Sequence, residues 1–328
     1  MLYRSVRLLL PMLCLSSLVG CAAAGPYVAD LSGGAPGAHA IGWADDLTLH
    51  DPAQPRDIRL RVAYPKSPGR YPVVVFSHGA FCYPQLYAAI TDHWVSRGYV
   101  VVLPEHPDSP NLQPPLRPDQ MGGLTATRIA DLNFILGHLD EIAAAAGIPG
   151  QLDTDRLAVA GHSYGTVIAM AKAGLWIRTP DGGRRQYRDP RIRGAVLMSG
   201  VGQMDEMMAP DAFSGLAIPL IATGGTLDVG NTGGPVIHPW EWRMSPYTLA
   251  PPGDKYSVVL ENGDHYLGGV ICRADRGGED DPAGAAIDAG LTLAFLDAYV
   301  KEDARAMRFL ATADVPALTA GRARFSRK

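Results

Sequence analysis

The middle of the chain alternates short apolar runs with stretches of helical periodicity. The apolar runs have the length of strands and cover residues 73–76, 99–103, 157–160, 195–198, 218–223 and 256–260. Between them, apolar residues recur three or four positions apart, as in Leu86, Ile90 and Trp94. Residues 58–64 alternate apolar with polar, which predicts an antiparallel strand near the sheet edge. Strands that alternate with helices predict an α/β protein with a doubly wound, mostly parallel sheet and helices on both faces.

One of these strands runs into the pentapeptide Gly161-His162-Ser163-Tyr164-Gly165, and residues 166–173 can continue as a helix. This pattern predicts a nucleophile elbow, a tight strand-to-helix turn that lifts a serine hydroxyl clear of the sheet. The flanking glycines are needed because larger side chains would clash in such a strained turn. We therefore predict that Ser163 is a nucleophile.

A serine nucleophile needs a base, and the base needs an acid that orients it. In proteins with this elbow, the acid and then the histidine follow the serine along the chain. Asp228 follows the run 218–223 and His265 follows the run 256–260, so both are expected at the sheet edge that carries Ser163. The sequence predicts the triad Ser163, Asp228 and His265, with Asp264 interpreted as a turn residue.

Attack of a serine on a carbonyl also needs hydrogen-bond donors for the oxyanion that forms. One predicted donor is the backbone N–H of Tyr164, the residue after the nucleophile. The other should come from the loop after the strand 73–76, which reads Ser77-His78-Gly79-Ala80. We predict the amide of Ala80, with Phe81 as the alternative.

Six segments carry a resemblance to a known family: Asp51-Pro52 with Arg56-Asp57-Ile58, Phe76-Ser77-His78-Gly79, Pro104-Glu105-His106, Gly161-His162-Ser163-Tyr164-Gly165, Gly224-Gly225-Thr226-Leu227-Asp228 and Gly263-Asp264-His265. Over residues 45–303 the chain resembles the α/β-hydrolases, and among them the bacterial predicted dienelactone-hydrolase-like and platelet-activating-factor-acetylhydrolase-like esterases. The resemblance implies an α/β-hydrolase fold. Dienelactone hydrolases have a cysteine nucleophile where this chain has Ser163, so their substrate is disfavoured.

The N-terminus predicts export. Arg4 and Arg7 precede an apolar run at residues 8–19 that is too short to span a membrane, and Leu18-Val19-Gly20-Cys21 resembles a bacterial lipobox. We predict a lipoprotein signal peptide at 1–20, a lipidated Cys21 and a flexible Gly-, Ala- and Pro-rich tether at 21–40. The protein would then be lipid-anchored to the cell envelope, at the outer membrane if the host has one. The alternative is an ordinary signal peptide cut at residues 22–24.

Two further cysteines remain after export. Cys82 follows the oxyanion strand and Cys272 follows His265, so both fall in loops at the predicted catalytic edge. An oxidising compartment would permit a disulfide between them, and free thiols are the alternative.

Composition limits the remaining possibilities. The chain has 328 residues, 47% of them hydrophobic, and a net charge of −4, which suits one catalytic domain at 41–305 with a C-terminal tail at 306–328. The tail cations, Arg322, Arg324, Arg327 and Lys328, are expected to be solvated or to touch anionic lipid. The sequence has no basic stripe interleaved with aromatic residues, so we predict no binding to nucleic acid. No phosphate loop or metal-ligand cluster is present, so we predict no cofactor and no metal.

These predictions combine into a serine carboxylic ester hydrolase that forms an acyl-enzyme, acting on short- to medium-chain esters. Acetylhydrolase, phospholipase-type or polyester-fragment hydrolysis are alternatives within that class, and a non-catalytic surface binding protein is the rival from another. Substrate contacts are predicted for Phe81, Trp240 and Trp242, although the tryptophans would equally suit the small core of a lid. The sequence does not determine the oligomeric state.

Overall fold

The computed structural model describes residues 25–35, 37–114, 116, 118–179, 181–209, 211–231, 236–273 and 279–328. Within them, thirteen strands occur: β1 (Ile41–Asp51), β2 (Arg56–Pro65), β3 (Tyr71–Ser77), β4 (Val100–Glu105), β5 (Leu152–His162), β6 (Trp176–Arg178), β7 (Arg184–Gln186), β8 (Ile192–Met198), β9 (Leu220–Gly225), β10 (Gly230–Asn231), β11 (Ile237–His238), β12 (Lys255–Leu260) and β13 (Ala323–Arg327). The helices are α1 (Ala88–Ser96), α2 (Leu124–Gly137), α3 (Leu139–Ala145), α4 (Tyr164–Ala173), α5 (Ser245–Thr248), α6 (Pro282–Tyr299), α7 (Ala304–Thr312) and α8 (Val315–Leu318).

Nine of these strands form one sheet in the order β1-β2-β4-β3-β5-β8-β9-β12-β13. The six from β4 to β12 are mutually parallel, whereas β1, β2 and β13 pair antiparallel with their neighbours. Among the parallel strands, β3, β4 and β9 are mostly apolar and buried along their whole length, as strands covered by helices on each side must be. The alternating segment at 58–64 lies in β2, second from one edge.

Two apolar layers cover the sheet. In β3, Val73 and Val75 point to a layer that includes the inner faces of α2, α3 and α4, while Val74 and Phe76 point to a second layer formed with α1, α6 and α7. Successive side chains of a strand point to opposite faces, so one apolar strand contributes to both layers. The predicted doubly wound α/β-hydrolase fold, with helices on both faces, is confirmed.

The C-terminal segment differs from its prediction. Residues 306–328 are not a solvated tail, because α7 and α8 pack on the second apolar layer and β13 pairs with β12 as the last strand of the sheet. The tail cations have partners: Arg322 pairs with Asp281, Arg324 pairs with Glu261, and Lys328 donates to the carbonyl of Ala250. The segment was missed because β13 is short and mostly polar, and it is stabilised by a neighbouring strand that local sequence does not reveal.

The described part of the predicted tether also packs on the domain. The Tyr27 hydroxyl donates to Asp297 at 2.7 Å, and Asp30 forms an ion pair with Arg97 at 2.6 Å. Residues 25–35 are therefore held by specific side chains and are not a free linker. The signal peptide and Cys21 lie outside the described residues. Among the described helices, none combines the length and apolar character needed to cross a membrane.

Candidate active site

Ser163 lies in the turn between β5 and α4, with φ 52° and ψ −123°. Such a positive φ is strained for any residue except glycine. The turn is possible because its neighbours are small: a Cβ at Gly165 would lie 2.0 Å from the carbonyl oxygen of Ser77, and one at Gly161 would lie 2.4 Å from that of Gly165. The geometry is that of a nucleophile elbow.

The three predicted triad residues meet at the carboxyl ends of the parallel strands. His265 Nε2 lies 2.8 Å from Ser163 Oγ, and His265 Nδ1 lies 2.8 Å from Asp228 Oδ1. The loops that carry the acid and the histidine approach closely, since the amide of Leu227 donates to the carbonyl of Gly263 at 2.9 Å. These distances allow one hydrogen-bonded chain from the hydroxyl through the imidazole to the carboxylate.

Asp228 is fully buried, and its carboxylate has two polar neighbours, His265 and Arg243. Arg243 Nε lies 3.0 Å from the same oxygen that faces His265. Burial alone raises the pKa of Asp228, but His265 and then Arg243 outweigh it, so the pKa is lower than the ordinary value of a carboxyl. Asp228 is therefore ionised when the histidine needs an acceptor. Asp264 instead accepts from the amides of Tyr266 and Gly268, as expected for a turn residue.

The loop after β3, residues 78–81, here called the oxyanion loop, passes beside the elbow. The amide of Phe81, the alternative predicted donor, already donates to Asp108 Oδ2 at 3.0 Å. The amide of Ala80 is the remaining predicted donor on this loop. The other predicted donor, the amide of Tyr164, lies at the first position of α4. Phe81 has a positive φ of 57°, and the residue is 47% exposed to solvent.

A buried ion pair lies under the oxyanion loop. Arg128, from α2, makes two-pronged contacts with the Asp108 carboxylate at 2.6–3.0 Å and donates to the carbonyl of His78 at 2.6 Å. Burial raises the pKa of Asp108, but Arg128 outweighs that effect and lowers it below its usual value. Both side chains are charged and inaccessible to solvent.

His162, next to the nucleophile, joins the three loops of the site. Its Nδ1 lies 3.0 Å from the Tyr87 hydroxyl, which accepts from the amide of Gly79, and its Nε2 lies 2.9 Å from the carbonyl of His265. A ring that accepts at Nδ1 from the Tyr87 hydroxyl and donates at Nε2 to the carbonyl satisfies both contacts. Burial, reinforced by the neighbouring His265, lowers the pKa of His162 to about 3.

A second Ser-His-Asp chain lies in the interior. His106 Nε2 lies 2.9 Å from Ser77 Oγ, and its Nδ1 lies 2.8 Å from Asp131 Oδ2. Asp131 also forms an ion pair with Arg56. Ser77, His106 and Asp131 are completely buried.

Cys82 and Cys272 form a disulfide in the structure, with their Cα atoms 5.3 Å apart. Cys82 lies two residues after Ala80, and Cys272 follows the loop of His265. The bond therefore connects the residue just after the oxyanion loop to the segment that follows the histidine.

The two candidate substrate tryptophans lie in the segment between Asp228 and β12 and pack against other parts of the protein. The Trp242 indole N–H donates to the carbonyl of Gln203 at 3.1 Å, and its ring stacks on His238 at 4.5 Å. Trp240 packs beside Met244, with the Arg324 guanidinium 5.7 Å from its ring centre. These contacts favour the lid-core interpretation over substrate contact. Within the described ranges, no group of three or more His, Cys, Asp or Glu side chains is arranged to hold a metal ion.

Sequence reasoning missed Arg128, Asp108, Arg243 and the role of His162. A signal was present for Arg128: it lies four residues after Leu124 and four before Leu132, on the apolar stripe of α2. An arginine at a core-facing position predicts a buried ionic partner. Nothing in the sequence marks Asp108 as that partner.

Comparison with known families gives one match. The chain matches the family model named Chlorophyllase over residues 43–177. This stretch is less than half of the chain; it includes the oxyanion loop and the elbow and ends before Asp228 and His265. The family is one of α/β-hydrolase-like esterases. Together with the sheet, the match supports a hydrolase of the α/β-hydrolase fold.

Proposed function

We propose that the protein is a serine carboxylic ester hydrolase. The observation that carries the proposal is the chain of two 2.8 Å contacts from Ser163 through His265 to Asp228, at a strained turn on the carboxyl edge of the sheet. A serine, an imidazole and an ionised carboxylate in this order are the components of an activated nucleophile. The finer resemblance, to dienelactone-hydrolase-like and platelet-activating-factor-acetylhydrolase-like esterases, remains part of this proposal.

In the proposed reaction, Ser163 Oγ attacks the ester carbonyl while its proton passes to His265 Nε2. The oxyanion is held by the amides of Ala80 and Tyr164, and Asp228 stabilises the imidazolium. The protonated His265 then gives its proton to the departing alcohol, leaving an acyl-enzyme at Ser163. A water molecule, deprotonated by His265, hydrolyses this acyl-enzyme and regenerates the serine.

Short- to medium-chain esters are the proposed substrates. Apolar side chains lie exposed on the loops that carry the acid and the proposed donor: Leu227 and Val229 flank Asp228, and Phe81 follows Ala80. Apolar walls beside a few polar groups suit an ester with an apolar acyl or alcohol part. Acetylated phospholipids and polyester fragments are the alternatives within the class.

The location of the protein is a proposal as well. The lipobox-like segment ending at Cys21 supports export and lipid anchoring at the cell envelope, and it would bring the enzyme close to lipid esters. Labelling cells with an alkyne fatty acid tests this. The wild-type protein should carry the label, and Cys21→Ser should not.

An ester panel tests the proposed activity. The panel varies the acyl part of p-nitrophenyl esters from acetate to decanoate, then varies the alcohol with the acyl part fixed. Chlorophyll enters as one further substrate because the matched family is named for it. We expect hydrolysis by the wild type and a loss of about 10⁴-fold or more in kcat for Ser163→Ala. Equal rates for both proteins, or no hydrolysis of any ester, would favour the non-catalytic binding protein.

A further inference from the structure

The Arg128–Asp108 pair forms hydrogen bonds with three backbone groups of the oxyanion loop. Arg128 donates to the carbonyls of His78, at 2.6 Å, and Gly79, at 3.3 Å, while Asp108 accepts from the amide of Phe81 at 3.0 Å. Both charged side chains are almost completely buried, at 0% and 2% exposure. Charge-assisted hydrogen bonds out of contact with water are the strongest available in a protein.

These contacts also fix the direction of the Ala80 amide, to which neither side chain bonds. In a planar trans peptide, the C=O of one residue and the N–H of the next point in opposite directions. The carbonyl of Gly79 is directed to Arg128 and to His78 Nδ1, which lies 2.7 Å away. The N–H of Ala80 must therefore point away from Arg128. Because the next amide, that of Phe81, is bound to Asp108, the peptides on both sides of Ala80 are held.

The same arginine contacts the residue that supplies the other proposed donor. The guanidinium carbon of Arg128 lies 5.0 Å from the ring centre of Tyr164, and the Tyr164 hydroxyl is hydrogen-bonded to Thr125, one turn earlier on α2. Helix α2 thus contacts both Ala80's loop and Tyr164.

We propose that Arg128 and Asp108 are positioning residues that hold the Ala80 and Tyr164 amides in register for the oxyanion. This proposal rests on the proposed function above, since it concerns the same reaction. Neither side chain touches the ester; both act through the backbone. Their effect belongs to the transition state, where the carbonyl oxygen becomes an anion, and not to the binding of the ground-state ester.

The test compares Arg128→Lys and Asp108→Asn with a matched control, Asp297→Asn. Lysine keeps the charge but cannot reach Asp108 and the carbonyl of His78 together in the same geometry. Asp297 accepts from the Tyr27 and Tyr99 hydroxyls and pairs with Lys301. Tyr99 directly precedes β4, so this group lies at the amino ends of the parallel strands, whereas Ser163 lies at their carboxyl ends. Its loss perturbs a partly buried ionic group without touching the oxyanion loop.

We expect Arg128→Lys to lower kcat by about 10²-fold, the loss typical of one oxyanion donor, with KM changed less than about threefold. Asp108→Asn should lose less, because the amide oxygen still accepts from Phe81. The inhibition constant of a boronic acid that forms a tetrahedral adduct with Ser163 should rise in parallel with the fall in kcat. Asp297→Asn should show neither change. A kcat for Arg128→Lys equal to that of the control, or a loss confined to KM, would overturn the proposal.

Hydrogen exchange provides a readout that does not depend on activity. Mass spectrometry of the peptide that covers residues 77–83 should show faster exchange in both variants than in wild type and control. Unchanged exchange there would also refute the proposal. If the wild type hydrolyses no ester, the proposed function fails, and the exchange data still decide whether the pair holds the loop.

Discussion

The described part of the protein contains two Ser-His-Asp chains that are nearly identical in their contacts and differ in their surroundings. In both, the histidine lies 2.8–2.9 Å from the serine hydroxyl and 2.8 Å from the carboxylate, and an arginine pairs with that carboxylate. The outer set is Ser163, His265 and Asp228; the inner set is Ser77, His106 and Asp131. The same hydrogen-bonded arrangement thus occurs once at the carboxyl ends of the parallel strands, in contact with solvent, and once in the core.

The differences lie in access and backbone. The His265 side chain is 15% exposed, whereas every member of the inner set is sealed from solvent. Ser163 has a positive φ in a tight turn, whereas Ser77 is the last residue of a regular strand. A hydrogen-bonded triad is therefore not sufficient for catalysis. It also needs a path for the substrate, and complete burial leaves the inner set without contact with solvent.

The histidines should separate the two sets most clearly. His265→Gln removes the base, and we expect kcat to fall by about 10⁴- to 10⁶-fold. His106→Gln should leave kcat close to the wild-type value and lower the free energy of unfolding by about 1–3 kcal/mol, because it leaves buried partners unsatisfied. Steady-state kinetics and urea unfolding measure the two effects. Comparable losses of kcat in the two variants would remove the distinction.

The aspartates should show the same separation. Asp228→Asn should lower kcat by about 10⁴-fold, since the amide stabilises the wrong tautomer of the histidine. Asp131→Asn weakens the pairing with Arg56, whose side chain is 22% exposed, and disturbs the buried contact with His106, so we expect a loss of about 1–3 kcal/mol in unfolding free energy instead. If Asp131→Asn were inactive but stable and Asp228→Asn active, the inner set and not the outer set would be catalytic.

The disulfide belongs to the outer set alone. Replacing Cys82 and Cys272 together by serine should cost about 2–4 kcal/mol of unfolding free energy, because the bond closes a long loop in the unfolded chain. Since it also connects the residue just after the oxyanion loop to the segment after His265, activity should fall at temperatures where the variant remains folded. A double variant as stable and active as the wild type would show that the bond is not needed.

The sealed histidines should make the protein sensitive to acid. Burial lowers the pKa values of His78 and His162 to about 3 and that of His106 well below its ordinary value, so all three are neutral in the fold. Unfolded histidines take up protons below about pH 6.5, and the stability should therefore fall as the pH drops from that value towards 3. Each histidine contributes about 1.4 kcal/mol per pH unit. Urea unfolding of His106→Gln should give a shallower slope, and an unchanged slope would contradict this account.

Sequence reasoning reached the outer set because each member follows an apolar strand and is marked by glycines or chain order. It failed where long-range contacts decide the outcome. The strand β13 forms only because β12 offers a free edge, and Tyr27 and Asp30 fix a segment whose composition suggests a linker. The inner triad was invisible for the same reason, since Ser77, His106 and Asp131 come from two strand ends and a helix with no shared motif.

Covalent labelling tests the central claim most directly, namely that Ser163 is the activated serine. The folded protein is treated with a fluorophosphonate probe, digested and mapped by mass spectrometry. We predict one adduct per chain, on Ser163, that is absent from Ser163→Ala and undiminished in Ser77→Ala. An adduct on Ser77 or on any other residue of the wild type, or no adduct at all, would contradict the account.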